Sequence, residues 1–197
     1  KLLAFFEKHN RRVEVYLQFD GFRLDTHRAH RGADLRRIKE DVVRRLSHAG
    51  VFTTLTMTTS LGVNDDEIGD VVRLALDTPF IGGISIQPQF GSGRSAAIDP
   101  NNRLTHTGVL ARLGPQTNGL VTWRDLTALP CSHPHCCSVG YMLKTDSGEW
   151  KSLVPARPVK GEGVAVPAAV ADRLCRRYLI DLVGADRQPV ARQLLFL

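Results

Sequence analysis

The chain of 197 residues lacks any run of about 18 apolar residues, and no charged-then-apolar leader precedes a small-residue cleavage site. These absences argue against a membrane-spanning helix and give no sign of secretion. We therefore expect a cytoplasmic protein, with peripheral membrane binding left open. Internal repeats and low-complexity tracts are also missing. Hydrophobic residues make up 43% and charged residues 23% of the chain, a balance typical of folded globular proteins.

Cysteine is scarce, yet three of the four cysteines lie in the seven residues from Cys131 to Cys137, with His133 and His135 between them. Thiolate and imidazole groups are the ligands that hold zinc, iron and iron–sulfur clusters. The spacing Cys-x4-Cys-Cys differs from the paired Cys-x2-Cys of zinc fingers. We therefore favour an iron–sulfur cluster on Cys131, Cys136 and Cys137, with buried or disulfide-bonded cysteines as the alternative.

The net charge of +6 could attract phosphate or nucleic acid. However, Arg36, Arg37, Arg44 and Arg45 fall on the polar side of one predicted helix, where a solvated face is the usual explanation. We therefore expect no nucleic-acid partner.

Hydrophobic periodicity predicts a βαβαβ unit, which implies parallel strands. Asp34 is expected to cap the first helix, and Asn64 with Glu67 forms a capping-box-like start for the second. The predicted strands and helices are, in order, 13–20, 34–49, 51–58, 64–77 and 83–90. Further along, Thr105 or Thr107 is expected to cap a helix through Leu113. A hairpin from Tyr141 to Leu153 and a helix at about 168–182 follow.

One face of each predicted strand is polar. The residues of that face are Tyr16, Gln18, Asp20, Thr54, Thr56, Thr58, Ser85, Gln87 and Gln89. Because helices alternate with these strands, we predict a barrel with a polar interior rather than an open sheet facing water. Sites in parallel barrels lie at the carboxyl ends of the strands. This predicts a site around Gln18, Asp20, Gln87, Gln89 and the loop 91–94.

Five stretches carry a resemblance to a known family: Tyr16–Phe22, Arg31–Leu35, Gly62–Glu67, Gln87–Arg94 and Leu129–Cys137. Together they resemble the radical S-adenosylmethionine (SAM) superfamily, in particular the branch that includes tetraether lipid synthases. The resemblance spans about residues 13–145. It implies an α/β fold: the C-terminal part of a partial (β/α) barrel over residues 1–100, and a Cys-rich metal-binding extension over 101–197.

The same resemblance implies which residues bind SAM. Gln18, Asp20 and Arg31 match family positions at the end of the fourth barrel strand, and Arg31 is expected to contact the methionine carboxylate. The full set of expected SAM-binding residues is Gln18, Asp20, Arg31, Gln87, Gln89 and Arg94. A surface charge before a helix is the alternative interpretation of Arg31.

The family's Cys-x3-Cys-x2-Cys motif, which holds the catalytic cluster, does not occur in these 197 residues. The sequence begins at Lys1, and the apolar spacing that follows it is typical of the end of a helix. We therefore expect a C-terminal fragment whose catalytic 4Fe–4S cluster lies upstream. Cys131, Cys136 and Cys137 would then bind an auxiliary 4Fe–4S cluster.

The parent protein is thus expected to cleave SAM to a 5′-deoxyadenosyl radical, using an electron donor such as ferredoxin or flavodoxin. The resemblance implies modification or C–C coupling of lipid chains, although a small-molecule substrate stays open. Two alternatives are a non-catalytic zinc- or iron-binding module and a radical SAM enzyme acting on a peptide or pterin precursor. Whether the 197 residues alone are enzymatic is left open.

Overall fold

A computed structural model describes residues 1–10, 12–91, 98–128, 137–145 and 147–152, together with the backbone of the strand Ala191–Phe196. The predicted helix at 168–182 lies outside the described residues, as do Arg94, Cys131 and Cys136.

Strands and helices alternate through the first half of the described chain. The helices are α1 (Leu2–Lys8), α2 (Leu24–Arg31), α3 (Arg36–His48), α4 (Ile68–Asp77) and α5 (His106–Gln116), and Trp123–Asp125 forms a 3-10 turn. The strands are β1 (Val15–Gln18), β2 (Thr53–Thr59), β3 (Ile81–Pro88), β4 (Thr127–Ala128), β5 (Ser138–Lys144), β6 (Trp150–Ser152) and β7 (Ala191–Phe196). The predicted α/β class is confirmed.

These strands form a single mixed sheet in the order β1-β2-β3-β7-β5-β4, with β6 paired to β5. Strands β1, β2, β3 and β7 run parallel, whereas β5 runs antiparallel to β7, β4 and β6. The predicted parallel unit is therefore confirmed for its three strands. Within the described part of the chain, β1 forms an edge of the sheet.

The hydrophobic core lies between one face of the sheet and the helices. Phe19, Leu55, Met57, Ile84 and Ile86 supply the sheet side of this core, and each is fully buried or nearly so. Val43 of α3, Ile68, Val71 and Val72 of α4, and Val109 and Leu113 of α5 supply the helix side. Burial of each such side chain contributes about 1.5–3 kcal/mol. This apolar packing leaves the opposite face of the parallel strands to the polar residues.

The contact between α4 and α5 depends on a glycine. A Cβ atom at Gly69 would lie 2.4 Å from the carbonyl oxygen of Gln116. The Gly69 N–H donates to the side-chain oxygen of Gln116 at 2.8 Å. The absence of a side chain at Gly69 thus lets the two helices approach until their backbones nearly touch.

Two local features downstream confirm the sequence prediction. The hydroxyl of Thr105 caps α5 by accepting the Gly108 N–H at 3.1 Å. The hairpin between β5 and β6 closes with the Thr145 N–H donating to the Glu149 carbonyl at 2.8 Å.

Two predictions for the helix starts were wrong, and α2 was not predicted, since its residues carry no apolar repeat. The N-cap of α3 is Leu35 rather than Asp34. Asn64 and Glu67 make no capping box on α4, whose N-cap has no side-chain hydrogen bond. Both side chains instead reach across to the connection between β1 and α2, as described below.

Candidate functional site

The polar face is built by the register of the parallel strands. Gln18 aligns with Thr56 and Thr56 with Ser85, while Thr58 aligns with Gln87. Because neighbouring parallel strands lie about 4.8 Å apart, these side chains form rows across the sheet. Gln18 contacts two residues of β2, because its side-chain oxygen accepts from the Thr56 hydroxyl at 3.3 Å and its Nε2 donates to the Thr58 hydroxyl at 3.3 Å.

Asp20 lies just beyond β1, and its side chain accepts four hydrogen bonds. Its carboxylate is 1% exposed. It accepts two hydrogen bonds from Arg31, at 2.6 Å from Nε and 2.9 Å from Nη2. Gln18 Nε2 donates at 2.6 Å and the Thr58 N–H at 3.0 Å. The carboxylate therefore joins the ends of β1 and β2 to the last turn of α2.

Burial by itself would raise the pKa of Asp20, because a carboxylate loses its hydration there. The hydrogen bonds from Arg31, the Thr58 N–H and Gln18 outweigh burial and lower the pKa of Asp20 below its ordinary value. Asp20 is thus held as an anion, and this charge fixes the guanidinium of Arg31.

Asp20 orients the guanidinium of Arg31 but uses only part of its hydrogen-bonding capacity. Nε and Nη2 contact the carboxylate, whereas Nη1 has no hydrogen bond to any residue in the described ranges. The side chain is 31% exposed. A guanidinium held along one edge can still donate from its other edge to a carboxylate or phosphate. The ion pair with buried Asp20 differs from a simple surface charge, and the contact of Arg31 with SAM stays a prediction.

Asn64 ties together the loops around this ion pair. It is fully buried, and its amide donates to the backbone carbonyls of Asp20 at 2.7 Å and Thr58 at 2.8 Å. Its oxygen accepts the Ser60 N–H at 2.8 Å and lies 3.4 Å from Nε2 of His30. One side chain thus links the ends of β1 and β2 to α2.

Glu67 stabilises the start of α2 from a distance in sequence. Its Oε1 accepts the backbone N–H groups of Phe22 at 2.6 Å and Arg23 at 3.0 Å, and Oε2 accepts the Thr26 hydroxyl. Glu67 therefore holds the segment that leads into α2, and its negative charge interacts favourably with the positive end of the helix dipole. A Cβ atom at Gly21 would lie 2.6 Å from Oε2 of Glu67, so this close approach requires glycine.

The remaining predicted SAM-binding residues differ in position. Gln87 is exposed, and its amide donates to the Ser85 hydroxyl at 3.3 Å. Gln89 lies just beyond β3, where its oxygen accepts the hydroxyl of Ser60. Gln18, Asp20 and Arg31 therefore form one cluster, while Gln87 and Gln89 follow the neighbouring strand. Arg94 lies outside the described residues.

Of the predicted cluster ligands, only Cys137 is described. It directly precedes β5 and is 3% exposed. No group of three His, Cys, Asp or Glu side chains suited to a metal occurs among the residues the structure describes. The iron–sulfur assignment therefore stays a prediction.

Sequence reasoning missed three participants. The backbone N–H of Thr58 carries no side-chain signal, and the spacing of Asn64 and Glu67 suggested local capping instead. Asn64 and Glu67 lie far from Asp20 and Gly21 in sequence, so their contacts with this part of the chain could not be predicted from spacing. The sequence carries no signal for these contacts, because the burial that makes Asn64 and Glu67 need partners is seen only in the structure.

The described fold is an α/β protein with a polar, charged cluster at the carboxyl edge of its parallel strands, where ligands of such sheets bind. No helix in the described ranges has the length and apolar character needed to cross a membrane. No protein-family model matches the chain.

Over 167 residues, the chain is 27% identical to a 7,8-dihydro-6-hydroxymethylpterin dimethyltransferase of Methanocaldococcus jannaschii. The alignment covers 72% of this chain and 32% of that enzyme. The chain thus spans about a third of the length of this relative.

Proposed function

We propose that this chain is part of the barrel of a radical SAM enzyme and that the carboxyl edge of its parallel strands binds SAM. The observation that carries the proposal is the fixed guanidinium of Arg31, held by buried Asp20 with Nη1 directed away from that pair. The similarity to the pterin dimethyltransferase supports the superfamily. When bound, SAM and a 4Fe–4S cluster supply the radical chemistry.

The residues of this chain would bind and orient the cofactor. Arg31 would donate to the methionine carboxylate of SAM, and Asp20 would keep the guanidinium in one orientation. The amides of Gln18, Gln87 and Gln89 would line the polar face beside it. Preorganisation of this kind lowers the ordering cost of binding. An auxiliary cluster on Cys131, Cys136 and Cys137, an electron donor and a radical-generating cluster outside these residues belong to the same proposal.

For the substrate, a pterin is favoured over a lipid chain. The similarity is to an enzyme named for a pterin substrate and for methyl transfer. A pterin is a small heteroaromatic compound with many donors and acceptors, which suits a polar strand face better than an alkyl chain does. We therefore propose radical methylation of a pterin-like compound, with lipid coupling as the second candidate.

Arg31→Lys is expected to weaken SAM binding by about ten- to a hundredfold, because a single ammonium cannot hold Asp20 in the bidentate geometry and also direct a donor at the SAM carboxylate. Lysine keeps the positive charge beside Asp20, so the fold should persist. Calorimetric titration with SAM measures the affinity, and a thermal melt checks folding.

Arg28→Lys is the matched control, since Arg28 is an exposed residue of the same helix. It should leave the affinity unchanged. Equal SAM affinity of both variants and the wild type would limit Arg31 to its ion pair with Asp20.

The reaction itself is tested with the protein that carries this chain together with its radical-generating cysteines. Anaerobic reconstitution, a strong reductant and SAM should yield 5′-deoxyadenosine and methionine. Methyl incorporation into a 7,8-dihydropterin then consumes a second SAM as methyl donor, which leaves as S-adenosylhomocysteine, and the reductant supplies the electrons. Mass spectrometry measures these products. Coupled lipid with unmodified pterin would favour the lipid reaction. Bound metal without any 5′-deoxyadenosine would favour the non-catalytic metal-binding module.

A further inference from the structure

Thr58 is the penultimate residue of β2, and its hydroxyl contacts two side chains of the candidate site. Its oxygen accepts from Gln18 Nε2 at 3.3 Å and from Arg31 Nη2 at 3.5 Å. A hydroxyl oxygen has two lone pairs and carries one hydrogen, so these contacts occupy both lone pairs. The hydrogen must therefore point to a third group. Among the residues the structure describes, none accepts it.

The other two threonines on the polar face of β2 differ from Thr58. Thr54 donates its hydroxyl to Oε1 of Glu14 at 2.6 Å, and Thr56 donates to Oε1 of Gln18 at 3.3 Å. Polar groups on a partly buried surface normally find partners in this way. The threonine nearest the carboxyl edge of the sheet thus keeps its donor available for a ligand.

The hydrogen bonds around Thr58 fix the position of its hydroxyl. The Thr58 N–H donates to Oδ1 of Asp20 at 3.0 Å, which ties the backbone of β2 to this carboxylate. Gln18 Nε2 uses both of its hydrogens, one on Asp20 at 2.6 Å and the other on the Thr58 oxygen. A donor that is ordered in advance loses little freedom when a ligand binds.

The same hydroxyl lies beside the free edge of Arg31. One hydrogen of Nη2 binds Asp20 and the other points at the Thr58 oxygen, while Nη1 has no hydrogen bond to the described part of the chain. Two donors without acceptors, the Thr58 hydroxyl and Nη1 of Arg31, therefore lie next to each other. A carboxylate has two acceptor oxygens and can receive both donors at once.

We propose that Thr58 is a binding residue whose hydroxyl donates to a carboxylate oxygen of the ligand, beside the contact that Nη1 of Arg31 makes. The ligand carboxylate is that of SAM, and this identity rests on the proposed function. Arg31 supplies the charge that attracts the carboxylate. The hydroxyl adds a directed hydrogen bond that sets its orientation.

Thr58→Val tests this proposal, because valine keeps the size and branching of the side chain and removes the hydroxyl. The protein that carries this chain with its radical-generating cysteines is reconstituted anaerobically, and SAM binding is measured by calorimetry without reductant. Thr58→Val should weaken binding by about ten- to a hundredfold, since a hydrogen bond to a charged group is lost. Thr58→Ser retains the hydroxyl and should bind like the wild type.

Thr54→Val is the matched control, since Thr54 lies on the same face of the same strand and its hydroxyl is committed to Glu14. It should leave the SAM affinity unchanged. A thermal melt of each variant checks folding. Equal affinities of Thr58→Val and Thr54→Val would overturn the role of Thr58.

Decarboxylated SAM identifies the group that Thr58 contacts. Wild type and Thr58→Val should bind this compound equally. An equal loss for SAM and its decarboxylated form would place Thr58 on another oxygen of the cofactor and overturn the carboxylate contact.

A double variant separates direct contact from an effect through Arg31. Thr58→Val should weaken SAM binding further in the Arg31→Lys background, because the hydroxyl contacts the ligand itself. No further loss would mean that Thr58 acts only by holding the guanidinium, and the proposal would be wrong.

The two proposals fail in distinguishable ways. A reconstituted wild-type protein that binds no SAM would overturn the proposed function, and the contact of Thr58 with it. Weaker SAM binding by Arg31→Lys but not by Thr58→Val would overturn the role of Thr58 and leave the proposed function intact.

Discussion

Replacing Gly21 by Ala is expected to lower the free energy of unfolding by about 3–5 kcal/mol. The backbone φ of Gly21 is +146°, a value that L-residues rarely adopt. The added Cβ would also lie 2.6 Å from Oε2 of Glu67 and 2.8 Å from its Cδ. Glu67 is buried and cannot retreat without breaking its bonds to the start of α2. Urea denaturation measures the change.

Gly32→Ala is the matched control, since Gly32 also has positive φ, at +71°, but nothing lies within 4 Å of its Cβ position. It should cost about 1–2 kcal/mol from backbone strain alone. The double variant Gly21→Ala/Glu67→Ala removes the clash, so the two single effects should not add. Equal losses at Gly21 and Gly32, or simple additivity, would contradict the steric explanation.

Asp20→Asn is expected to cost about 3 kcal/mol at neutral pH. The amide loses the charge that pairs with Arg31, and its NH2 group meets donors from Gln18 or the Thr58 N–H. The partial exposure of Arg31 limits the loss, because water can solvate the unpaired guanidinium. The free energy of unfolding of both proteins, measured between pH 7 and pH 3, tests this.

The pH dependence has a defined sign. The pKa of Asp20 is lowered in the folded state, so its contribution is present above the unfolded pKa, about 3.9, and disappears as pH falls through the folded value. The difference between wild type and Asp20→Asn should therefore be largest at pH 7 and shrink in acid.

Asp34 also has a lowered pKa, because Arg36 binds it, but it is exposed. Asp34→Asn should change stability little, and a constant difference for Asp20→Asn would exclude the ion-pair explanation.

The alternation of strands and helices could be predicted because it depends on local hydrophobic periodicity. Leu55, Met57, Ile84 and Ile86 repeat every second residue, and their burial on one face follows directly. The helix α2 could not be predicted this way. The segment that leads into it is held by Glu67, which accepts the Phe22 and Arg23 N–H groups and lies 45 positions beyond Phe22. The stability of α2 therefore depends on a residue that is distant in sequence.

The candidate site was predicted in part for a similar reason. Gln18 and Asp20 end a recognisable strand, and Arg31 follows from the resemblance, so the three could be named in advance. Asn64 could not, because its spacing before α4 suggests a local helix cap, whereas its amide donates to the carbonyls of Asp20 and Thr58. The partners of a buried polar group are a three-dimensional property, and sequence spacing gives them only within one element.

The hydrogen bonds of Asn64 also affect how the loops of this edge can open. The Asn64 side chain donates to the carbonyls of Asp20 and Thr58 and at the same time accepts the Ser60 N–H. Detaching one connection would leave a buried amide partly unsatisfied, which penalises every partial opening. The connections after β1 and β2 should therefore exchange their amide hydrogens as one cooperative unit, rather than fluctuate as separate loops.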